Sequence, residues 1–429
     1  MKVVTVHRGA RDNYQVARSL SDAGMLEALV TDLYWPAERP TAKLLERFTP
    51  ARVRDALGQR HAPGLPAKSV HLSWASGLYS HALNQLGSLP LLRERDAVRW
   101  CDARLGRRAG QLATSRGAAL LSYSYYGHSA FTHYRGNQPR MLFQLHPHPA
   151  SVRRILRAER ELWPECASSL DWEWELALPE QDFARLVEEP LMAEHCLVAS
   201  SFTKETLVEN GVRPEQVHVI PYGIDSERFA IKKMARHAAR PLQLLFVGRL
   251  VQRKGLKYLL EALQFLPAGS VELTVVGRPV DDLAWLQNTS IQNTRVPIRL
   301  RESVSSAQLL EAYQDADVFV FPSLAEGFGH VLLEAMASGL PIISTTRTAA
   351  PDLIRDGKEG FIIAPGDSSQ LAQAIEKFLR DPSRILSMGE AARSRAEAFH
   401  WPRFREQLIQ VVARILQRSP DRVEMFSHV

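Results

Sequence analysis

Glu326 and Glu334 stand eight residues apart in EGFGHVLLEAMASGLP, on either side of a glycine-rich turn. A carboxylate accepts hydrogen bonds from neutral hydroxyls, so two of them at separated positions can hold two sets of hydroxyls. Between them Gly327 and Gly329 permit unusual backbone angles. A helix opening near His330 would present free N–H groups and the positive end of its dipole, which is a ready anion site. A second group lies in FVGRLVQRKG, where Arg249 and Lys254 follow a strand that ends at Gly248. Arg249 offers a planar fork of donors suited to phosphate oxygens, and Lys254 a mobile point charge. A diphosphate flanked by hydroxyl-bearing groups fits both clusters. That is the outline of a nucleotide sugar.

These residues need elements that bring them to one place. KVVTV, a helical run over Tyr14–Gly24 and ALVTDLY open the chain as a βαβ unit, which implies a parallel sheet. Further strands are predicted at Ala118–Ser124, Arg140–His146 and His195–Ser200. VHVIPYGIDSERF closes this half, and a polar, basic linker runs to Arg240. The pattern then restarts. Strands are predicted at Leu242–Gly248, Val271–Gly277, Asp317–Ser323, Pro341–Thr346 and Gly360–Gly366. Helices are predicted at Leu256–Leu266, Ser306–Ala316, Val331–Gly339 and Ser368–Asp381. The fold class is therefore α/β, with two doubly wound Rossmann-like domains facing across a cleft, about residues 1–220 and 240–400. Ligands of such sheets sit at the carboxyl ends of the strands.

A chain of 429 residues is too long for one ordinary core. Net charge is +6, an excess that suits anionic partners without choosing among nucleotide, phospholipid and nucleic acid. Three widely spaced cysteines form no zinc motif and fit a reduced, cytoplasmic setting. The opening MKVVTVHRG reads as a strand, and no apolar run has the length of a membrane span. Neither G-x-x-x-x-G-K-[ST] nor a G-x-G-x-x-G after the first strand is present, which counts against a P-loop ATPase and a nicotinamide enzyme. The segment Lys43–Arg116 is helical in composition. It carries Arg93, Arg95, Arg99, Arg104, Arg107, Arg108 and Arg116, with Leu78, Tyr79, Leu83, Leu86, Leu89, Leu91 and Leu92 upstream. A solvated helix face is its ordinary reading, and contact with an acidic membrane surface the alternative.

GRLVQRKG followed by ADVFVFPSLAEGFGHVLLEAMASGLPII resembles the retaining glycosyltransferases of family 4, which have the GT-B fold. The resemblance spans nearly the whole second domain and extends more loosely to the first, through the glycine after strand one and PYGIDSERF. It implies that Arg249 and Lys254 bind the donor diphosphate and that Glu326 holds hydroxyls of the donor sugar. The backbone of Gly327, Phe328 and Gly329 would face sugar and phosphates, and Glu334 would hold the ribose. In the first domain it implies a loop near the diphosphate and acceptor at HRGARD, where Gly9 is the single glycine and Arg8 and Arg11 stand beside it. It also implies a histidine near the reactive carbon, matched best by His146 of QLHPHP, with His148 as the alternative. Residues after about 400, opening at FHWPRF, would cross back to the first domain. Asp352 stands where the family commonly has a glutamate. Asp315-Ala316-Asp317 spells the D-x-D of the other large glycosyltransferase fold, but at the wrong end of a strand, so it reads as a helix-to-strand junction.

The implied reaction is retaining transfer from a UDP- or GDP-sugar to a hydroxyl of a glycan or lipid-linked glycan, as in surface polysaccharide assembly. No metal or other cofactor and no nucleic acid is expected, and the protein would be cytoplasmic, either free or peripheral on an anionic membrane. A non-catalytic nucleotide-sugar-binding scaffold and a GT-B sugar-nucleotide epimerase are the alternatives.

Overall fold

A computed structural model describes residues 1–37, 54, 57–58, 60–73, 94–229, 240–280 and 296–417. The apolar run from Leu78 to Leu92, Arg93 and the linker residues 230–239 lie outside the described residues.

Short apolar runs that are buried on both faces form parallel strands, and VVTV at Val3–Val6 (β1) is buried at all four positions. Around it a seven-stranded sheet runs in the order β3-β2-β1-β4-β5-β6-β7, every pairing parallel. Its other strands are β2 (Leu26–Thr31), β3 (Val70–Leu72), β4 (Ala119–Tyr123), β5 (Arg140–Gln144), β6 (His195–Val198) and β7 (Val217–Val219). A second, six-stranded parallel sheet has the order β10-β9-β8-β11-β12-β13. Its strands are β8 (Leu242–Val247), β9 (Val271–Val276), β10 (Ile298–Arg301), β11 (Val318–Phe321), β12 (Ile342–Thr345) and β13 (Gly360–Ile363). Strand order reverses beside β1 and beside β8, and loops at such switch points leave room for a ligand.

Helices cover both sheets. Those that matter for the site are α1 (Gln15–Asp22), α2 (Glu94–Ser115), α3 (Gly127–Thr132), α4 (Pro149–Leu162), α5 (Glu180–Met192), α6 (Ser201–Glu209), α7 (Leu256–Gln264), α8 (Ser306–Asp315) and α9 (His330–Ala337). Ser200 caps α6 through Thr203 N–H, and Ser305 with Gln308 forms a capping box on α8. The helix Trp401–Gln417 (α10) packs on α1, where Arg405 Nη1 donates to Gln15 Oε1 at 2.9 Å.

Several expected bounds shift. The second strand begins at Leu26 and stops at Thr31, before Asp32, whose carboxylate leaves the ladder to accept Gly9 N–H at 2.9 Å. The strands β3 and β10 escape the apolar-run criterion because they are partly exposed edges, VHL and IRLR. Asp317 is fully buried just before β11 and accepts from Arg240 Nη2 (2.7 Å) and Gln243 N (2.9 Å), so its carboxylate joins the helix-to-strand junction to β8.

The two sheets are tied across the cleft. Glu159 of α4 accepts from Gln252 Nε2 (2.6 Å) and Tyr258 Oη (2.9 Å). Asp352, in the position noted for its short carboxylate, accepts Ser201 N–H at 2.8 Å and so holds the start of α6. Tyr222 of PYGIDSERF sits at the centre of an aromatic cluster with Phe328 at 5.2 Å, His330 at 4.7 Å and Phe404 at 5.6 Å.

Candidate active site

Two loops of the second domain converge at the carboxyl ends of β8 and β11. The loop after β8 carries Gly248 to Gly255, and the loop after β11 carries Pro322 to Gly329. They touch backbone to backbone: a Cβ on Gly255, whose φ is +73°, would fall 2.0 Å from the Pro322 carbonyl oxygen. The β11 loop meets the first domain just as closely. A Cβ on Gly327 would fall 2.2 Å from the Leu145 carbonyl oxygen, next to His146. The Gly327 carbonyl in turn accepts from Ser200 and Thr203.

A cavity of about 380 Å³ opens where these loops meet the first domain. His146, Gly248, Arg249, Lys254, Glu326, Phe328 and Gly329 all line it, although they come from three separate parts of the chain. Helix α9 starts at its wall, with Gly329 as a left-handed N-cap. The N–H groups of its first turn are therefore presented beside the cavity.

Its electrostatics are set by an ion network. Lys254 Nζ donates to Glu326 Oε2, and Arg253 Nη1 lies 3.9 Å from the same oxygen. Burial works to raise the Glu326 carboxyl, but the Lys254 and Arg253 cations outweigh it and hold it down to about 2. Arg253 also pairs across the cleft with Glu173 at 2.9 Å and donates to the Ala325 carbonyl at 2.8 Å. Arg249 is exposed at the cavity edge and forms no ion pair among the described residues. Among the described residues it is a cation free to meet an anion.

His146 faces the cavity with its ring 5.9 Å from that of Tyr125. Burial, aided by Arg253, pushes it down to about 4, so it is neutral at ordinary pH and acts as a hydrogen-bonding group rather than a cation. His148 is built into the scaffold instead. It is fully buried, caps α4 by accepting Ala150 N–H at 3.2 Å, and lies 3.3 Å from the Val187 carbonyl oxygen.

Three expected site residues stand away from this lining: Gly327, packed on the Leu145 carbonyl, Glu334 and Gly9. Glu334, one turn into α9, accepts from Tyr313 Oη at 2.8 Å. Gly9 is not in the lining, whereas Arg11 and Asp12 of the same loop join Leu145, His146 and Tyr222 in the first-domain wall. Asp12, Asn13 and Tyr14 are all left-handed, with φ of 43°, 52° and 61°. Such backbone costs about 1–3 kcal/mol per residue and persists only where surroundings over-determine it. Here Asp12 accepts from Tyr123 Oη and from Gln15 N (2.9 Å), and Tyr14 is buried against Tyr34 and His7.

Sequence reasoning passed over Arg253, Tyr222 and His330 as lining residues. All three lie inside quoted motifs, but their roles depend on partners far along the chain, Glu173 above all.

Comparison with known proteins places this geometry. Residues 227–395 match the family model for glycosyl transferases group 1. The match to the group 1 model covers the whole second sheet and stops before α10. The sulfoquinovosyl transferase SQD2 of Arabidopsis thaliana is 29% identical over 47% of this chain and 41% of its own length. The amylovoran biosynthesis glycosyltransferase AmsK of Erwinia amylovora is 29% identical over 55% of this chain and 59% of its own length. The chain thus spans roughly half the length of these curated relatives. Among solved structures, a sucrose-phosphate synthase from Thermosynechococcus elongatus aligns over 98% of this chain and all of its own, with a TM-score of 0.66 and 19% identity. Anabaena HepE in complex with UDP aligns over 96% of this chain and all of its own, with a TM-score of 0.60 and 17% identity. The fold is GT-B: two parallel-sheet domains facing across a cleft, with the group 1 match on the second.

Proposed function

We propose that the protein is a retaining glycosyltransferase. It moves a sugar from a UDP- or GDP-sugar to a hydroxyl of a glycan or lipid-linked glycan in surface polysaccharide assembly. The observation that carries this reading is the convergence of Arg249, Lys254, Glu326 and the α9 N-terminus with His146 around one interdomain cavity. The names of AmsK and of the UDP-bound HepE structure support the same direction.

In this reading the donor diphosphate lies against Arg249, Lys254 and the start of α9. The bond from the sugar's anomeric carbon to the diphosphate oxygen breaks, and charge building on that oxygen is met by those cations and N–H groups. The acceptor oxygen bonds to the same face of the carbon, and its proton passes to the departing diphosphate. Lys254 exchanges its Glu326 partner for phosphate oxygens, which frees the Glu326 carboxylate for sugar hydroxyls. Glu334 holds the ribose once it leaves Tyr313. Closure of the cleft keeps water from the donor.

The assignment gives charge stabilisation to side chains and backbone rather than to a metal or other cofactor, so activity is expected to survive dialysis against EDTA. A rate restored only by added divalent cation would contradict that part. No nucleic acid is a partner in this scheme, and the setting is cytoplasmic. Among the described residues no helix is long and apolar enough to cross a membrane. Arg104, Arg107 and Arg108 are exposed on α2 with Trp100, and Arg116 is exposed just past its end, a surface that suits an anionic bilayer. Flotation with anionic but not neutral liposomes is the expected outcome.

The first experiment is a thermal-shift screen of UDP, GDP, ADP, CDP and their sugar conjugates, on the native protein and on the double variant Arg249→Ala with Lys254→Ala. A ligand at a hundred times its Kd stabilises by about 2.7 kcal/mol. One nucleotide class shifting the native protein and not the variant is expected. No shift from any of them would overturn the donor assignment.

A further inference from the structure

One imidazole at the donor cavity has no task in the fold. His330 is the first residue of α9, directly after the left-handed N-cap Gly329. Aromatic rings hold it in place. Tyr222 stacks on it at 4.7 Å and 27°, Phe328 meets it edge-on at 5.3 Å, and Trp401, which opens α10, lies at 6.1 Å. These contacts use the faces of the ring and leave its nitrogens idle. Among the described residues neither ring nitrogen of His330 has a hydrogen-bond partner, and the ring is open to the cavity. Packing alone would be served as well by an apolar side chain. A histidine calls for a polar partner that the cavity receives.

The position decides which part of a donor it meets. Side chains of a helix lean toward its N-terminus, so the first one projects past the helix start, where free N–H groups draw an anion. Arg249 and Lys254 line the same cavity. In the transferase reading above, that is the place of the diphosphate.

Charge in the cavity changes when a donor enters. The ring of His330 can be reached from the cavity but sits deep in the cleft, and that enclosure pushes it down to about 4, against the pull of Glu326. Its neighbour Tyr222 brings no charge, because burial raises that hydroxyl well above its ordinary range. The charged groups that line the cavity are Arg11 and Asp12 from the first domain and Arg249, Arg253, Lys254 and Glu326 from the second. His146 is the other imidazole there, set against Tyr125, whose N–H donates to the Glu189 carboxyl at 2.9 Å. Cations thus outnumber carboxylates around an empty cavity, and His330 is neutral. A diphosphate reverses that balance, since an opposite charge within about 4–6 Å shifts a pKa by about 1–3 toward the charged form.

We propose that His330 binds the donor's diphosphate through a ring N–H and takes up a proton from solvent as the nucleotide enters. The proposal rests on the transferase reading and adds a side chain whose charge arrives with the substrate. The imidazolium then joins Arg249 and Lys254 in meeting the charge that builds on the departing diphosphate.

The test is isothermal titration calorimetry of UDP and GDP into the full chain, at pH 5 and 7.5, in two buffers of different ionisation enthalpy. Native protein is compared with His330→Asn, which keeps a hydrogen-bond donor but cannot gain a charge, and with His330→Leu, which keeps an apolar side chain among the aromatic rings. Thermal denaturation without nucleotide checks that each variant folds. Asp12, His146 and the terminal phosphate of the nucleotide also titrate, so the difference between native and variant is what is read. Between pH 7.5 and 5 the native protein is expected to gain about threefold or more in affinity relative to His330→Asn, and to take up more protons per nucleotide bound. At pH 7.5 His330→Leu should bind several-fold more weakly than His330→Asn. Equal pH dependence and equal proton uptake in native protein and His330→Asn overturn the proposal, as does native-like binding by His330→Leu at both pH values. Failure of the donor reading looks different: neither nucleotide would bind the native protein, and this inference would fall with it.

Discussion

Glu326 and Lys254 each make the other's burial tolerable. Their side chains are only 12% and 11% exposed, and each supplies the opposite charge that the other lacks in water. Removing one partner of a buried pair leaves an uncompensated charge and costs about 3–5 kcal/mol, whereas removing both is far milder. Glu326→Ala is therefore expected to lower the unfolding free energy by about 3 kcal/mol or more. Glu326→Ala with Lys254→Met should recover much of that loss while nucleotide binding stays abolished. Urea denaturation of the three proteins, with nucleotide titration alongside, separates the two effects. Equal destabilisation of single and double variants would show that side-chain packing, not charge pairing, dominates there. The sign of the pH effect follows from the lowered Glu326 carboxyl. Its contribution is complete above the ordinary carboxylate range and disappears only as pH falls through about 2.

At the scale of elements, the site depends on loops that approach more closely than side chains allow. Gly255 and Gly269 share a left-handed φ, +73° and +72°, but only Gly255 has a carbonyl in the path of a Cβ. Gly269→Ala should cost about 1 kcal/mol for backbone conformation alone. Gly255→Ala should cost more and also displace the β8 loop that carries Arg249 and Lys254, so nucleotide stabilisation falls in that variant and not in Gly269→Ala. Equal nucleotide shifts in both would mean that the loop tolerates the change. The sequence carried this element plainly: strands buried on both faces read as apolar runs, and the glycines mark where two backbones meet. The strands β3 and β10 were less legible, because an edge strand need not be apolar. Nor does the chain spell out that Glu334 is held by Tyr313, or Arg253 by Glu173, since each pairing joins residues that are adjacent only after folding.

For the whole molecule, burial shifts titration in both domains. It pushes His7, His146, His148 and, in the second domain, His330 down to about 4, and it raises Asp102 to about 6, Asp12 to about 7 and Glu189 to about 8. In the unfolded chain histidines titrate near 6.5 and carboxyls near 4. From about pH 4.5 to 6 the two sets oppose each other. The unfolded state takes up protons on its histidines, the native state keeps them on its raised carboxyls, and stability changes little. Above about 6.5 the histidines are neutral in both states. The native protein then still holds protons on Asp12 and Glu189 that the unfolded chain has released. Where the native state binds more protons, stability falls as pH rises, by up to about 1.4 kcal/mol per pH unit for each such group. Thermal denaturation across the pH range should therefore show a plateau in weak acid and a decline between about pH 6.5 and 8. Glu189→Gln should make that decline shallower, because an amide cannot release the proton. A melting temperature that climbs from pH 6.5 to 8 would mean that Asp12 and Glu189 are ionised in the native fold, and that the cluster around Tyr125 is held by charge rather than by neutral hydrogen bonds.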